Sequence, residues 1–401
     1  MKKRVYIIII LIFALLIAAE GAGTYYFYKH PIKETVTETI NNKNYVSTKS
    51  AAQIEVTQLD AIAKQPKNLS DVYVTGWIPD WDIPNGLSTL EDRYSIFKGI
   101  SPVWFYANDD GSLKETPYSN GPDLSNFTSE KNLELVPSIA LFDSATISKV
   151  FNSGALQSHI DNIVNMTVDN NYKGIDLDYE AILLSDKILF FDFLKKLTDQ
   201  LHSKGKILSF TVLPKWGNEV VYPGFPQTRR VEDYKRIGDI VDELRIMTYD
   251  LFGRKSQQAG PVAPLKWMEY TLKYVINEGV PRNKILLGIP TYSYDWSERP
   301  LAQDNLDLID WYLPASGTVL EDGVAYFNKQ INQVRNNYTL NEKFNETWGE
   351  VVGTYNYKGT NRIIVFPNEE SLKLRKQLAA DYGIKGIAYW KIGSEDGLKL
   401  Q

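Results

Sequence analysis

The chain has 401 residues, 43% hydrophobic and 23% charged, the balance of a globular protein rather than a disordered or fibrous one. Its 44 basic and 49 acidic residues leave a net charge of −5, so no basic field is available for nucleic acid. Zero cysteines exclude a disulfide scaffold, a zinc-thiolate site, an iron–sulfur cluster and a cysteine nucleophile.

The N-terminus opens with Lys2, Lys3 and Arg4, followed by an apolar run from Val5 to Ala19 and then GAGTYYFY to Tyr28. Two readings fit. Residues 1–28 form a signal anchor, with Tyr25–Tyr28 as an interfacial aromatic belt, or a secretory signal peptide without a clean A-x-A cleavage site. Either way the rest of the chain is expected outside the cytoplasm, held at the membrane by the N-terminal helix or secreted. Residues 29–70 are rich in Thr, Asn and Lys and read as a polar stalk. Weak helical periodicity from Ala52 to Lys64 leaves room for a packed extension instead.

From residue 71 onward, short apolar runs recur at 72–77, 99–106, 133–141, 174–180, 207–214, 243–250, 284–292 and 386–390. Amphipathic helical patterns such as Leu184–Lys204, Lys266–Glu278 and Glu369–Tyr382 lie between them. Near-continuous apolar strands alternating with helices predict an α/β fold whose parallel sheet is covered on its faces. Eight units predict a (β/α)8 TIM barrel over 71–401. The long gap before the eighth strand predicts a small α+β insertion at about 297–366, between strands 7 and 8. Little chain follows Trp390, so the last helix is expected to be short or absent.

The histidines, His30, His159 and His202, are scattered and supply neither a catalytic triad nor a His-rich metal site. Carboxylates and aromatic rings must carry the chemistry. In a barrel of this kind, functional side chains project from the C-terminal strand ends. Trp77, Trp81, Trp104, Trp216, Trp296 and Trp390 fall there, and aromatic planes stack on the C–H faces of sugars. Within Gly174-Ile-Asp-Leu-Asp-Tyr-Glu180, strand alternation puts Asp176, Asp178 and Glu180 on one face. Three crowded carboxylates cannot all ionise cheaply, so at least one holds its proton more tightly, as a general acid requires.

GIDLDYE resembles the catalytic strand of glycoside hydrolase family 18, whose pattern is D-x-x-D-x-D-x-E. The resemblance extends to Met247-Thr-Tyr-Asp250, to GIPTYSYDW around Tyr292 and to Gly386-Ile-Ala-Tyr-Trp390. PKW at 214–216, AGPVAPLKW at 259–267 and YWKIG at 389–393 are similar to the bacterial branch acting on spore-cortex peptidoglycan. Two departures stand out. Lys173 replaces the first acid and weakens an outer member of the carboxylate relay, and SIAL at 138–141 replaces S-x-G-G, which puts the shape of the cleft floor in question.

The resemblance implies hydrolysis of β-linked N-acetylglucosamine polymers, peptidoglycan or chitin, with the substrate's own acetamide as nucleophile. Glu180 would be the acid, Asp178 would orient the acetamide, Asp176 would share a proton with it, and Tyr249 would donate to the acetamide oxygen. Trp390 would floor the subsite, Met247 and Asp250 would shape its wall, and Trp77, Trp104, Trp216, Tyr292 and Trp296 complete the expected substrate-binding set. Lys215 is a candidate contact for an anionic group on peptidoglycan, although a surface lysine is commoner. Neither metal nor organic cofactor is expected. A non-catalytic lectin of the same fold is the alternative.

Overall fold

The computed structural model describes residues 59–401 except 120–121, 217–225, 298–299 and 303–322. Eight parallel strands close into a barrel: β1 (Tyr73–Ile78), β2 (Gly99–Ala107), β3 (Ser138–Leu141), β4 (Gly174–Tyr179), β5 (Ile207–Val212), β6 (Glu243–Ile246), β7 (Ile285–Pro290) and β8 (Gly386–Trp390). Each pairs with its neighbours in sequence, and β1 pairs with both β2 and β8, so no open edge remains. The expected (β/α)8 barrel is the observed one.

The apolar core lies between strands and helices. In β4 the outward residues Ile175, Leu177 and Tyr179 are buried in it. Helix α5 (Lys187–Ser203) meets that surface with Phe190, Leu194, Leu197 and Leu201. Their spacing of four, three and four residues keeps them on one helical face. Each such side chain contributes about 1.5–3 kcal/mol through burial. The other barrel helices are α1 (Ile83–Arg93), α2 (Pro122–Glu130), α3 (Ser144–Asn152), α4 (Leu156–Asp169), α6 (Pro226–Val231), α7 (Tyr234–Ile240), α8 (Leu265–Asn277) and α10 (Glu369–Asp381).

Between β7 and β8 the chain builds an antiparallel five-stranded sheet from Tyr292–Ser297, Val324–Phe327, Asn341–Asn345, Glu350–Tyr357 and Thr360–Phe366, together with α9 (Asn328–Asn337). This is the expected α+β insertion. It begins five residues earlier than the sequence implied, because YSYDWS continues past β7 as a strand of the lobe. A buried pair fixes the lobe to the barrel: Arg375 on α10 donates to Glu350 at 2.5 Å and to the carbonyl of Ala263 at 2.6 Å. After β8 the tail folds back with Leu398 and Leu400 buried, and the Gln401 N–H donates to the Tyr389 hydroxyl at 3.2 Å.

The apolar N-terminal segment and most of the polar segment lie outside the described residues. Among the described residues, no helix is long and apolar enough to cross a membrane. Residues 59–70 lie against the barrel. Leu59 is buried, and the N–H groups of Gln65 and Lys67 donate to the carbonyls of Asp381 and Ala380, both at 3.0 Å.

Candidate active site

Strand β4 sends Asp176, Asp178 and Glu180 into the barrel at successively higher levels. Register sets the lowest level, where Ser138 on β3, Asp176 and Ser209 on β5 lie in one row. Asp176 accepts hydrogen bonds from Trp77 Nε1, Ser138 Oγ and Ser209 Oγ, each at 2.8 Å, and from Thr211 Oγ1 at 3.2 Å. Arg245 on β6 lies 3.7 Å from Asp176, donates to Glu243 at 2.8 Å and to Ser101 Oγ at 2.6 Å. Lys385 reaches Glu243 at 2.6 Å. Burial alone would raise the Glu243 carboxyl, but Arg245 and Lys385 outweigh it and hold it below its ordinary value.

One level up, the balance of charge is reversed. Asp178 Oδ1 is buried with no hydrogen-bond partner among the described residues. Burial, then the charges of Glu180, Asp176 and Glu232, push its carboxyl well above the usual range. Glu180 is pushed up to about 7 by burial and by Asp250, with Arg229 pulling the other way. Two acids whose proton affinities are raised therefore stand side by side at the barrel mouth.

Phenols surround them. Tyr249 follows β6 against Gly288 of β7, where a Cβ would come within 2.8 Å of the Tyr249 ring, so this glycine makes room for the side chain. Burial and the charges of Asp178 and Glu180 raise its phenol well above the ordinary value, which keeps it a hydrogen-bond donor. Asp250 adopts a left-handed backbone (φ 61°), a conformation Asp tolerates better than most residues. It accepts from the hydroxyls of Tyr292 at 2.5 Å and Tyr294 at 3.3 Å. Trp390 is half-buried and stands edge-on to Trp77, ring centroids 6.1 Å apart.

Asp176, Asp178, Glu180, Tyr249, Asp250, Tyr292, Trp77 and Trp390 thus converge. Trp77 faces Asp176 rather than the open cleft, and Met247, just after β6, is almost wholly buried. Three expected sugar platforms are elsewhere. Trp104 is 0% exposed and packs on Tyr172 in the strand–helix core. Trp216 is buried edge-on against Trp267 at 5.3 Å. Trp296 lies inside the lobe with Trp348 and Val365. All three are corrected to core residues, because the strand-end position placed them correctly along the chain but did not give the direction of the ring. Trp81 is the exposed ring, at 61%. It is held near Phe327 of the lobe (6.3 Å) above the Lys391 ammonium, which pairs with Asp82.

The departures from the family pattern change meaning. Lys173 sits before β4, at the end of the barrel opposite the mouth, half-exposed and 3.9 Å from Glu134. It belongs to no relay around Glu180. In SIAL, Ser138 holds Asp176, and Ala140 pairs in register with Tyr106 on one side and Asp178 on the other. Its small side chain leaves the Tyr106 phenol within electrostatic reach of Asp178. Lys215 is buried: its ammonium donates to the Glu232 carbonyl and lies 4.0 Å from the Tyr234 ring centre. It therefore does not face the cleft.

Sequence reasoning missed Tyr106, Arg229, Glu232 and Arg245. Arg245 carried a signal, since Glu243 and Arg245 alternate along β6 as Asp176 and Asp178 do along β4. Glu232 carried none, being one acid in a charged helical stretch.

Comparison with known proteins agrees with this architecture. The sequence pattern of glycosyl hydrolases family 18 matches residues 95–396. The Bacillus subtilis protein YdhD is 26% identical over 253 residues, and the match spans 63% of this chain and 54% of the relative's length. A cortical fragment-lytic enzyme of Bacillus anthracis is 26% identical over 328 residues, covering 77% of this chain and 70% of that protein. Among solved structures, a Chromobacterium violaceum chitinase superposes with a TM-score of 0.69 at 24% identity, covering 81% of this chain and 96% of the chitinase. The Bacillus cereus spore cortex-lytic enzyme SleL gives 0.68 at 22% identity, covering 82% and 72%.

Proposed function

Because the chain belongs to family 18 of the glycosyl hydrolases and is a glycosidase, we propose that it cleaves β-1,4-linked N-acetylglucosamine polymers with retention, using the substrate's acetamide as nucleophile. Glu180 protonates the glycosidic oxygen as the bond to the anomeric carbon breaks. The acetamido oxygen of the same sugar closes on that carbon and gives an oxazolinium ion. The Glu180 carboxylate then takes a proton from water, and the water oxygen bonds to the anomeric carbon and reopens the ring.

The reading rests on the unpartnered Asp178 Oδ1 between Glu180 and Asp176. Within reach of the acetamide N–H, it orients the nucleophile and balances the positive charge that develops on nitrogen. Tyr249 donates to the acetamide oxygen and holds it in line. Tyr292 and Tyr294 keep Asp250 turned toward the wall of the subsite.

Among the glycans that share this sugar, the similarity to cortical fragment-lytic enzymes favours peptidoglycan or a related envelope glycan over chitin. Export and a membrane tether through residues 1–28 fit such a substrate.

The test is Glu180→Gln, assayed on purified peptidoglycan and chitin oligomers with product analysis by mass spectrometry. Hydrolysis is expected to fall by about 10²–10⁴-fold or more while glycan binding persists. Unchanged hydrolysis would remove Glu180 from the acid role. Binding without cleavage by the unaltered protein would establish the lectin alternative.

A further inference from the structure

Behind the two mouth acids lies a segment that no part of the reaction scheme uses. It runs from Thr228 within α6 to Tyr234 at the start of α7 and ties down both flanking loops. Thr228 Oγ1 donates to the carbonyl of Ile182, two residues beyond Glu180, at 3.2 Å. The Glu232 carboxylate, almost wholly buried, accepts the Leu213 N–H at 3.2 Å, and the Tyr234 hydroxyl donates to the Leu213 carbonyl. Arg229 Nε donates to the Pro214 carbonyl at 3.2 Å, and the Lys215 ammonium caps the Glu232 carbonyl. Position and charge are thus set by one short stretch.

We propose that Arg229 is a positioning residue for the acid: this clamp holds the chain after β4 and β5 in register and presents the Arg229 guanidinium to Glu180. This deepens the glycosidase reading and rests on it.

The charges that face the cluster are identifiable element by element. Asp178 and Glu180 come from β4, Lys215 from the segment after β5, Asp250 from the segment after β6, Lys187 from α5, Glu278 from the end of α8, and Asp233 from the clamp itself. Glu232 is pushed up to about 8 by burial, against Lys215, the Leu213 N–H and Arg229. Arg229 lowers the proton affinity of both Glu180 and Glu232. Glu232 holds its proton to a higher pH than Glu180 does, so Arg229 is the charge through which the clamp acts on Glu180.

One charged and one largely uncharged member of the clamp give the test its discrimination. Arg229→Gln removes a positive charge and is expected to move the Glu180 titration upward by about 0.5–1 pH unit. Glu232→Gln keeps an acceptor for the Leu213 N–H and replaces a group that is largely uncharged near pH 7, so it is expected to leave the titration nearly unmoved. The titration is followed in the full chain by ¹³C NMR of carboxyl-labelled glutamate, with the Glu180 signal assigned from Glu180→Gln, beside the alkaline limb of kcat/KM. Arg229→Lys is expected to restore the original value, separating charge from folding. A Glu180 titration that does not move in Arg229→Gln, or that moves as far in Glu232→Gln, overturns the inference. Because the NMR titration does not depend on turnover, absence of hydrolysis by the unaltered protein would count against the glycosidase reading alone.

Discussion

The lower barrel and its mouth, one strand level apart, treat the same chemical group in opposite ways. At the lower level, Asp176 receives four hydrogen bonds and Glu243 is shared between Arg245 and Lys385. At the mouth, Asp178 leaves an oxygen unpartnered, and Glu180 keeps its proton to about 7. Burial is common to both levels. What differs is the supply of opposing charge and donors, and this decides whether a buried carboxyl serves as a fixed anion or as an acid.

The largest effect is expected from damage to the paired level. Arg245→Met leaves Glu243 with Lys385 alone and deprives Asp176 of its nearest cation, which should cost about 3–5 kcal/mol, measured by denaturant unfolding. A loss below about 1 kcal/mol would mean that this level is wetter or more adaptable than its burial implies.

The mouth is tested by pH. Glu180 must be protonated to act, so kcat/KM should fall about tenfold per unit as pH rises above 7. Stability should follow the same direction. The folded chain retains protons on Glu180 and Glu232 that the unfolded chain loses near 4.5, so their contribution declines as pH rises through about 7 and about 8. Glu243 has the opposite sign: its folded value is lowered, and its contribution is lost as pH falls through that value. A melting series from about pH 5 to 9 on the unaltered chain and Glu232→Gln checks this, and the variant should lose less stability on the alkaline side.

The smallest structural effect belongs to the rim. Trp81 is largely exposed, so Trp81→Ala should change stability by no more than about 0.5 kcal/mol. It should raise KM for long glycan chains while leaving cleavage of the shortest substrates nearly unaltered. An equal rise for all chain lengths would place the ring nearer the scissile bond than its position on the rim indicates.

Much of this was legible in one dimension. Strand periodicity placed Asp176, Asp178 and Glu180 on a common face because alternation is a property of the extended backbone itself. Eight apolar runs separated by helical patterns determined the barrel, since parallel strands need crossovers and both sheet faces must be covered. Trp390 was found because it ends a strand and strand ends share one rim, whereas Tyr249 and Asp250 were found through the resemblance of Met247-Thr-Tyr-Asp250 to family 18. The direction of a bulky ring was not legible. Trp104, Trp216 and Trp296 also lie near strand ends, yet packing against Tyr172, Trp267 and Trp348 draws them into the core.

The sequence by itself determined the fold and the row of acids, because both follow from local periodicity. Only the tertiary structure decided which acid is neutralised and which stays protonated. That depends on Arg245, Lys385, Arg229 and Glu232, brought from strands and loops far apart in the chain, and charge acts through space over distances that sequence separation does not measure.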